Sequence, residues 1–196
     1  MVLGLAGKSC AGKNVLADLL VKRGWESIDM DLLSHQVLEE KSFEAAALFG
    51  HGVLGAEGRV DRQKLASLVF SDPLKLKQLE NLIYPELHGL LNNKIASRDE
   101  NPLPLLINAA ALQKSEFWKI CDAIIWVEAP LPVRFIRACR RDRKSPMALI
   151  RRFHAQRKLN PQYFFQRVDI YTIKNGGSRK RLEKHIDRWL QALPSE

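Results

Sequence analysis

Cysteine is scarce in this sequence: Cys10, Cys121 and Cys139 are all it holds. An odd number without paired spacing argues against a disulfide framework and a structural zinc site, and fits a reducing compartment. The five histidines are scattered and form no ligand cluster. No apolar run approaches the ~20 residues that cross a bilayer, so no membrane partner is expected. The opening Met1-Val-Leu-Gly lacks the basic stretch and cleavage site of a signal peptide, and the chain is expected in the cytoplasm. Repeats, low-complexity tracts and linkers are missing too, so the 196 residues read as one α/β domain with small insertions. Acid is also short: 22 Asp and Glu stand against 31 Lys and Arg, a net charge of +9. That balance suits an anionic partner: a nucleotide, a phosphorylated cofactor or a nucleic acid.

What is present begins at once. Val2 to Ala6 is a short apolar run and reads as a buried strand. Gly7-x-x-x-x-Gly12-Lys13 follows, and an amphipathic helix starts at the lysine, with Val15, Leu16, Leu19 and Leu20 on one face and Gly24 as its stop. Strand, glycine-bounded loop, lysine and helix make a phosphate-binding P-loop. The glycines let backbone N–H groups turn towards an anion, and the helix directs its positive dipole end at the same point. Lys13 adds a full charge. Gly7, Lys8, Ser9, Cys10, Ala11, Gly12, Lys13, Asn14 and Val15 are therefore the candidate nucleotide-binding residues. Cys10 reads as a small space-filling residue. A hydroxyl is absent where it would be expected: the position after the lysine is normally Ser or Thr, which binds Mg²⁺. Here it is Asn14, whose amide oxygen is the candidate metal ligand on a longer side chain.

Trp25 to Asp29 reads as a second strand, ending in Asp29-Met30-Asp31, with a helix from about Leu32 to Glu39. In an open parallel sheet, ligands bind at the carboxyl ends of strands, so these carboxylates are expected near the P-loop. From Glu40 to about Asn101 the pattern is helical. Ser42 to Phe49 is one helix, Gly50 to Gly58 a loop or short hairpin, and Asp61 to Phe70 another helix. Asp72-Pro73 opens a further helix that passes Pro85, where a kink is expected. This stretch, about 40–101, is too long for a simple crossover and reads as a substrate-binding insertion. Leu103 to Ala111, Ala123 to Val127 and Asp169 to Lys174 read as three more strands, the last followed by Asn175-Gly176-Gly177 and a closing helix from Ser178 to Leu193. The expected core is 1–39, 102–140 and 167–196.

A helix opened by Pro130-Leu-Pro132 runs into the most basic part of the chain. Arg134 to Lys158 holds ten Arg or Lys and one acid, Asp142. Arginine suits bidentate phosphate contacts, and Ser145-Pro146 starts a new helix inside the segment. The pattern fits a lid, about 141–166, that closes over a transferring phosphoryl group. Nucleic-acid binding would want aromatics among the charges, and only Phe135 and Phe153 are there.

Together these residues resemble the dephospho-CoA kinase family along nearly the whole chain. The P-loop Gly7 to Lys13 and Ile28-Asp29-Met30-Asp31 match its first two motifs. Leu48-Phe49-Gly50, Gly58-Arg-Val-Asp61-Arg62 and Val69-Phe70 match the next. Tyr84-Pro85 stands where the family has His-Pro. Arg137-x-x-x-Arg141-Asp142, Arg152-x-x-x-Gln156 and Asn175-Gly176 complete the series. Two departures stand out: Asn14, and Ala110-Ala111-Leu112-Gln113-Lys114 in place of Pro-Leu-Leu-x-Glu. The resemblance implies a three-layer α/β/α P-loop NTPase fold with a mostly parallel five-stranded sheet. It implies ATP and Mg²⁺ as cofactors, and transfer of the γ-phosphoryl to the ribose 3′-hydroxyl of dephospho-CoA. Lys13, Asp31 and Arg141 would be catalytic, with Asp31 as the general base. Arg141, Arg152 and Asn175 would join the nucleotide site. Asp31, Arg62, Tyr84 and Pro85 would hold the substrate. Another small-molecule P-loop kinase, or a non-catalytic nucleotide- or nucleic-acid-binding protein, remain the alternatives.

Overall fold

The computed structural model describes residues 1–98, 103–109, 112–113, 116–142, 146–157, 159–164 and 168–193. The expected features at Ala110, Ala111, Lys114 and Ser145 lie outside the described residues.

Five strands form one parallel sheet: β1 (Val2–Gly7), β2 (Glu26–Asp29), β3 (Leu105–Asn108), β4 (Ala123–Glu128) and β5 (Asp169–Lys174), in the order β2-β3-β1-β4-β5. β1 lies near the middle, and its six residues are all buried. A strand covered on both faces needs no alternation, which is why it reads as a continuous apolar run. One face of the sheet is closed by α1 (Lys13–Val21) and α8 (Arg179–Gln191). Leu3, Leu5, Leu106, Ile125 and Val127 meet Leu16, Leu19 and Leu20 of α1 and Leu182 and Ile186 of α8 there. Each fully buried leucine in that layer stabilises the fold by roughly 2 kcal/mol. β3 is shorter than the run from Leu103 to Ala111, because an apolar stretch marks burial and not ladder length.

The chain divides into two compact units, Met1–Asp29 with Leu103–Glu196, and Met30–Pro102. The second contains α2 (Met30–Glu40), α3 (Ser42–Phe49), α4 (Arg62–Val69) and α5 (Pro73–Ala96). It therefore begins at Met30, ahead of the boundary near residue 40 expected from sequence. α5 packs with the other three, burying Ile83, Leu87 and Leu91, and Pro85 lies inside it. Asp61 and Asp72 cap α4 and α5 by accepting from backbone N–H groups two and three residues on. The glycine-rich stretch is two short 3-10 turns, His51–Val53 and Ala56–Gly58, with one antiparallel bridge between Leu54 and Val60.

Candidate functional site

The first unit gathers its polar chemistry at the carboxyl ends of β1, β3, β4 and β5. Between β1 and α1 the chain turns on Gly7 at φ +150° and Gly12 at φ +101°. A Cβ on Gly7 would lie 2.5 Å from the Val127 carbonyl oxygen, and one on Gly12 would collide with the Asn175 amide. Both positions therefore need glycine for space as well as for backbone angle. Lys13 Nζ donates to the Gly7 carbonyl at 3.1 Å, which folds the ammonium back over the loop. Cys10 sits at φ +60°.

Two helices approach this loop. α6 (Leu131–Arg141) carries Arg134, Arg137 and Arg141, spaced three and four residues apart, hence on one face. Arg137 donates to the Ala11 carbonyl and to Asn175 Oδ1, both at 3.3 Å. Buried Asn175 donates back to the Ala11 carbonyl at 2.7 Å. Arg137, Asn175 and Ala11 thus lock the P-loop to α6 and to the end of β5. Arg134 reaches the Ser9 carbonyl at 3.5 Å and stacks on Phe153, 5.1 Å from its centroid. Burial lowers its affinity for its proton.

α7 (Pro146–Ala155) docks on α6 through Leu149 and Phe153, which meet Ala138, Phe135 and Cys10. Cys10 does fill space, at the joint between the loop, α6 and α7. Beyond α7, Gln156 Oε1 accepts the Ser9 backbone N–H at 2.8 Å. Arg152 pairs with Asp142 at 2.6 Å and points a second nitrogen at Cys10 Sγ, 3.8 Å away. Asp142 also takes the Arg141 Nε bond at 2.7 Å. The Arg141 hydrogen bond, joined by that of Arg152, pulls the Asp142 carboxyl down to about 2, and the same bond raises Arg141. An open cleft of about 450 Å³ is lined by Gly12, Lys13, Asn14, Arg137, Arg140 and Arg141, among others. A second cavity, about 440 Å³, lies beside Asn175 and Gly176, against Pro130 and His185.

Asn14, in the first turn of α1, accepts a hydrogen bond from Asn108 Nδ2 at 3.3 Å. Asn108 is the last residue of β3 and is buried.

The structure thus brings the P-loop residues, Asn14, Arg141, Arg152 and Asn175 together in one unit. Asp31, Arg62, Tyr84 and Pro85 belong to the helical unit. There Asp31 is exposed in the first turn of α2, and Arg62 Nη1 meets His35 Nδ1 at 2.9 Å. Burial, with the Glu80 carboxylate nearby, pushes the Tyr84 hydroxyl up to about 12. Sequence reasoning met Arg137, Asp142 and Gln156 only as members of the family's motifs, and singled out neither Arg134 nor Asn108. The spacing of Arg134, Arg137 and Arg141 was a legible signal for the first two. Nothing local marks Asn108.

Comparison with known proteins identifies the family. The family model for dephospho-CoA kinase matches residues 1–178. A dephospho-CoA kinase of Treponema denticola is 35% identical over 194 residues, covering 95% of this chain and 87% of that protein. A solved structure from Thermus thermophilus superposes with a TM-score of 0.82 at 31% identity, covering 100% of this chain and 98% of its own. That of dephospho-CoA kinase from Campylobacter jejuni gives 0.73 at 21% identity, with 97% and 95% covered, a likeness of fold. With its P-loop, its arginine-bearing helices and its length accounted for in this way, the chain belongs to the dephospho-CoA kinase family.

Proposed function

We propose that this chain is an ATP-dependent kinase that transfers the γ-phosphoryl of ATP to the ribose 3′-hydroxyl of dephospho-CoA, the last step of coenzyme A synthesis. The observation that carries the reading is the convergence of Lys13, Arg137 and the lid arginine Arg152 on one glycine-turned loop of a chain in this family.

The P-loop N–H groups from Lys8 to Val15 and the Lys13 ammonium hold the β- and γ-phosphates. The adenine lies in the cavity beside Asn175. Arg141 and Arg152 counter the charge that spreads over the phosphoryl oxygens as it moves. Ser9 N–H and both arginines carry internal partners, Gln156 and Asp142, which ATP would displace or share. Asp31 is the general base, supported by its position two residues beyond the end of β2. Its carboxylate takes the proton as the 3′-oxygen forms its bond to phosphorus, and the bond to ADP breaks on the opposite side. Arg62, Tyr84 and Pro85 hold dephospho-CoA.

Phosphoryl transfer from ATP uses Mg²⁺, and Asn14 was the candidate ligand for it. Mg²⁺ favours hard oxygen donors, carboxylates among them. Asn14 offers one neutral oxygen already accepting from Asn108. The pair does not match that donor set, and the ion is better read as arriving on the nucleotide.

The test is an acceptor panel with ATP: dephospho-CoA, a nucleoside and a sugar. Dephospho-CoA should give ADP and coenzyme A in equal amounts, with the new phosphate on the 3′-oxygen by ³¹P NMR. Faster turnover of another acceptor would overturn the assignment.

A further inference from the structure

We propose that Asn108 and Asn14 form a matched amide pair in place of a metal-holding hydroxyl and carboxylate, so that this kinase binds ATP with an affinity almost independent of divalent metal. The proposal rests on the reading of the P-loop as the ATP site.

P-loop NTPases hold their metal with two protein groups, the loop hydroxyl and an aspartate. A side chain that shares one Mg²⁺ with residue 14 must end within roughly 4 Å of it, because each oxygen lies about 2.1 Å from the ion. Asn108 meets that condition, ending 3.3 Å away. The sheet fixes it there. Asn108 pairs in register with Leu5 of β1, and Leu106, two residues earlier, packs in the same layer as the α1 leucines. Residues i and i+2 of a strand share a face, so Asn108 projects towards α1 at the level of its first turn. The place for a second metal ligand is thus filled by an amide.

The pair has consequences for charge. One amide oxygen is engaged by the other side chain's N–H, and turning both amides over exchanges the roles without changing the count. Neither group is ionised at any accessible pH. A serine and an aspartate here would leave a buried carboxylate facing the phosphates whenever the metal was absent, a repulsion the ion must cancel. Two amides impose no such requirement. The positive charge is supplied from the other side of the same cleft by Lys13, Arg137, Arg140 and Arg141. The nearest register neighbour of Asn108 away from β1 is Asp29 on β2, so the first carboxylate on that face is displaced by one strand spacing, about 4.8 Å.

The two positions act as a unit. Asn14→Ser alone strands the Asn108 amide. Asn108→Asp alone sets a carboxylate against Asn14, which can turn its own N–H towards it. Only the double change restores a hydroxyl and a carboxylate together.

The experiment measures binding of a non-hydrolysable ATP analogue by calorimetry, once in EDTA and once in excess Mg²⁺, with Mn²⁺ EPR on the same complexes. The ratio of the two dissociation constants should stay below about fivefold for the wild-type chain and both single variants, and reach about tenfold or more in Asn14→Ser/Asn108→Asp. The EPR spectrum should show protein ligation of Mn²⁺ in the double variant alone. A wild-type ratio of about fivefold or more overturns the proposal, and the wild-type measurement decides this even if a variant fails to fold. A folded double variant with the wild-type ratio overturns it as well. Failure of the wild-type chain to bind the analogue under either condition sinks the nucleotide site itself, and the pair's role with it.

Discussion

The two flanks of the P-loop are made of opposite materials. On the side of α6 and α7 the loop is held by guanidinium groups: Arg137 on Ala11, Arg134 on Ser9, Arg152 beside Cys10. On the side of β3 it meets a neutral amide pair, Asn14 and Asn108. A nucleotide triphosphate brings several negative charges that must be countered somewhere. On the function proposed above, the protein's share of that task would fall on the cations of one flank. Those cations are themselves prepositioned, Arg141 and Arg152 by Asp142, and Arg134 and Arg152 by the face of Phe153. A guanidinium held by an ion pair and an aromatic face loses less conformational freedom when phosphate arrives.

The largest expected effect comes from the charge that both flanks share. Lys13→Ala should lower kcat/KM for ATP by about 10³-fold or more, since its ammonium acts on charge that develops in transfer. Its ammonium donates to the Gly7 carbonyl at the surface of the open cleft and not in the core, so Tm should move by no more than about 2–4 °C. Near-normal activity in the folded variant would remove the P-loop from the reaction. Asp31→Asn comes next and probes what neither flank supplies, acceptance of the hydroxyl proton. It should cut kcat by about 10²–10⁴-fold and leave the affinity for ATP unchanged. Asp29→Asn should do less, and the reverse order would exchange the two roles.

Arg137→Ala breaks the charged flank at its centre and should reduce kcat/KM by about 10²-fold. It also removes one partner of buried Asn175, for about 1 kcal/mol of stability, read by urea unfolding. On the neutral flank, Asn14→Ser should act on stability alone. It leaves the buried Asn108 amide without its partner and costs about 1 kcal/mol, while the Mg²⁺ dependence of turnover stays that of the wild-type chain. A lowered Mg²⁺ requirement in this single variant would erase the contrast between the flanks.

The charged flank was partly legible in the sequence and the neutral one hardly at all. Glycine spacing announces the P-loop because only glycine tolerates the angles at positions 7 and 12 and the closeness of Val127 and Asn175. The arginines stand out because charge is a composition signal and their three-and-four spacing survives in one dimension. Asn14 stood out as a departure from a fixed pattern. Its partner is 94 residues away, at the end of a strand whose length the apolar run overstated, and only the register of β1 with β3 joins them. Asp142 was visible as the one acid among ten bases, but its grip on two arginines from different helices is a tertiary fact. The fold class follows from strand order and helix periodicity, whereas the start of the helical unit at Met30 depends on packing that the pattern from Leu32 onward does not contain.

The smallest effect is also the one that tests whether the charged flank is built in advance of the nucleotide. In the folded chain the Asp142 carboxyl is pulled down to about 2 from its usual 3.8, first by the Arg141 hydrogen bond and then by Arg152. A carboxyl whose affinity for protons is depressed by folding stabilises the folded state above its unfolded value and loses that contribution as pH falls through its folded value. The contribution of Asp142 should therefore be complete above about pH 4 and fade between about 4 and 2. Water reaches this pair, with the Arg141 side chain 62% exposed, and screening holds the contribution to about 1 kcal/mol. Asp142→Asn keeps the shape of the side chain and removes the charge. At pH 7 it should unfold about 1 kcal/mol more easily than the wild-type chain, a Tm lower by about 2–4 °C. The gap should narrow below pH 4 as the wild-type carboxyl takes up its proton. Parallel urea titrations at pH 7, 4 and 3 measure it. No gap at pH 7, or a gap that stays constant across that range, would mean that the charge of Asp142 does not hold the two guanidinium groups, and that Arg141 and Arg152 are left for the phosphates to order.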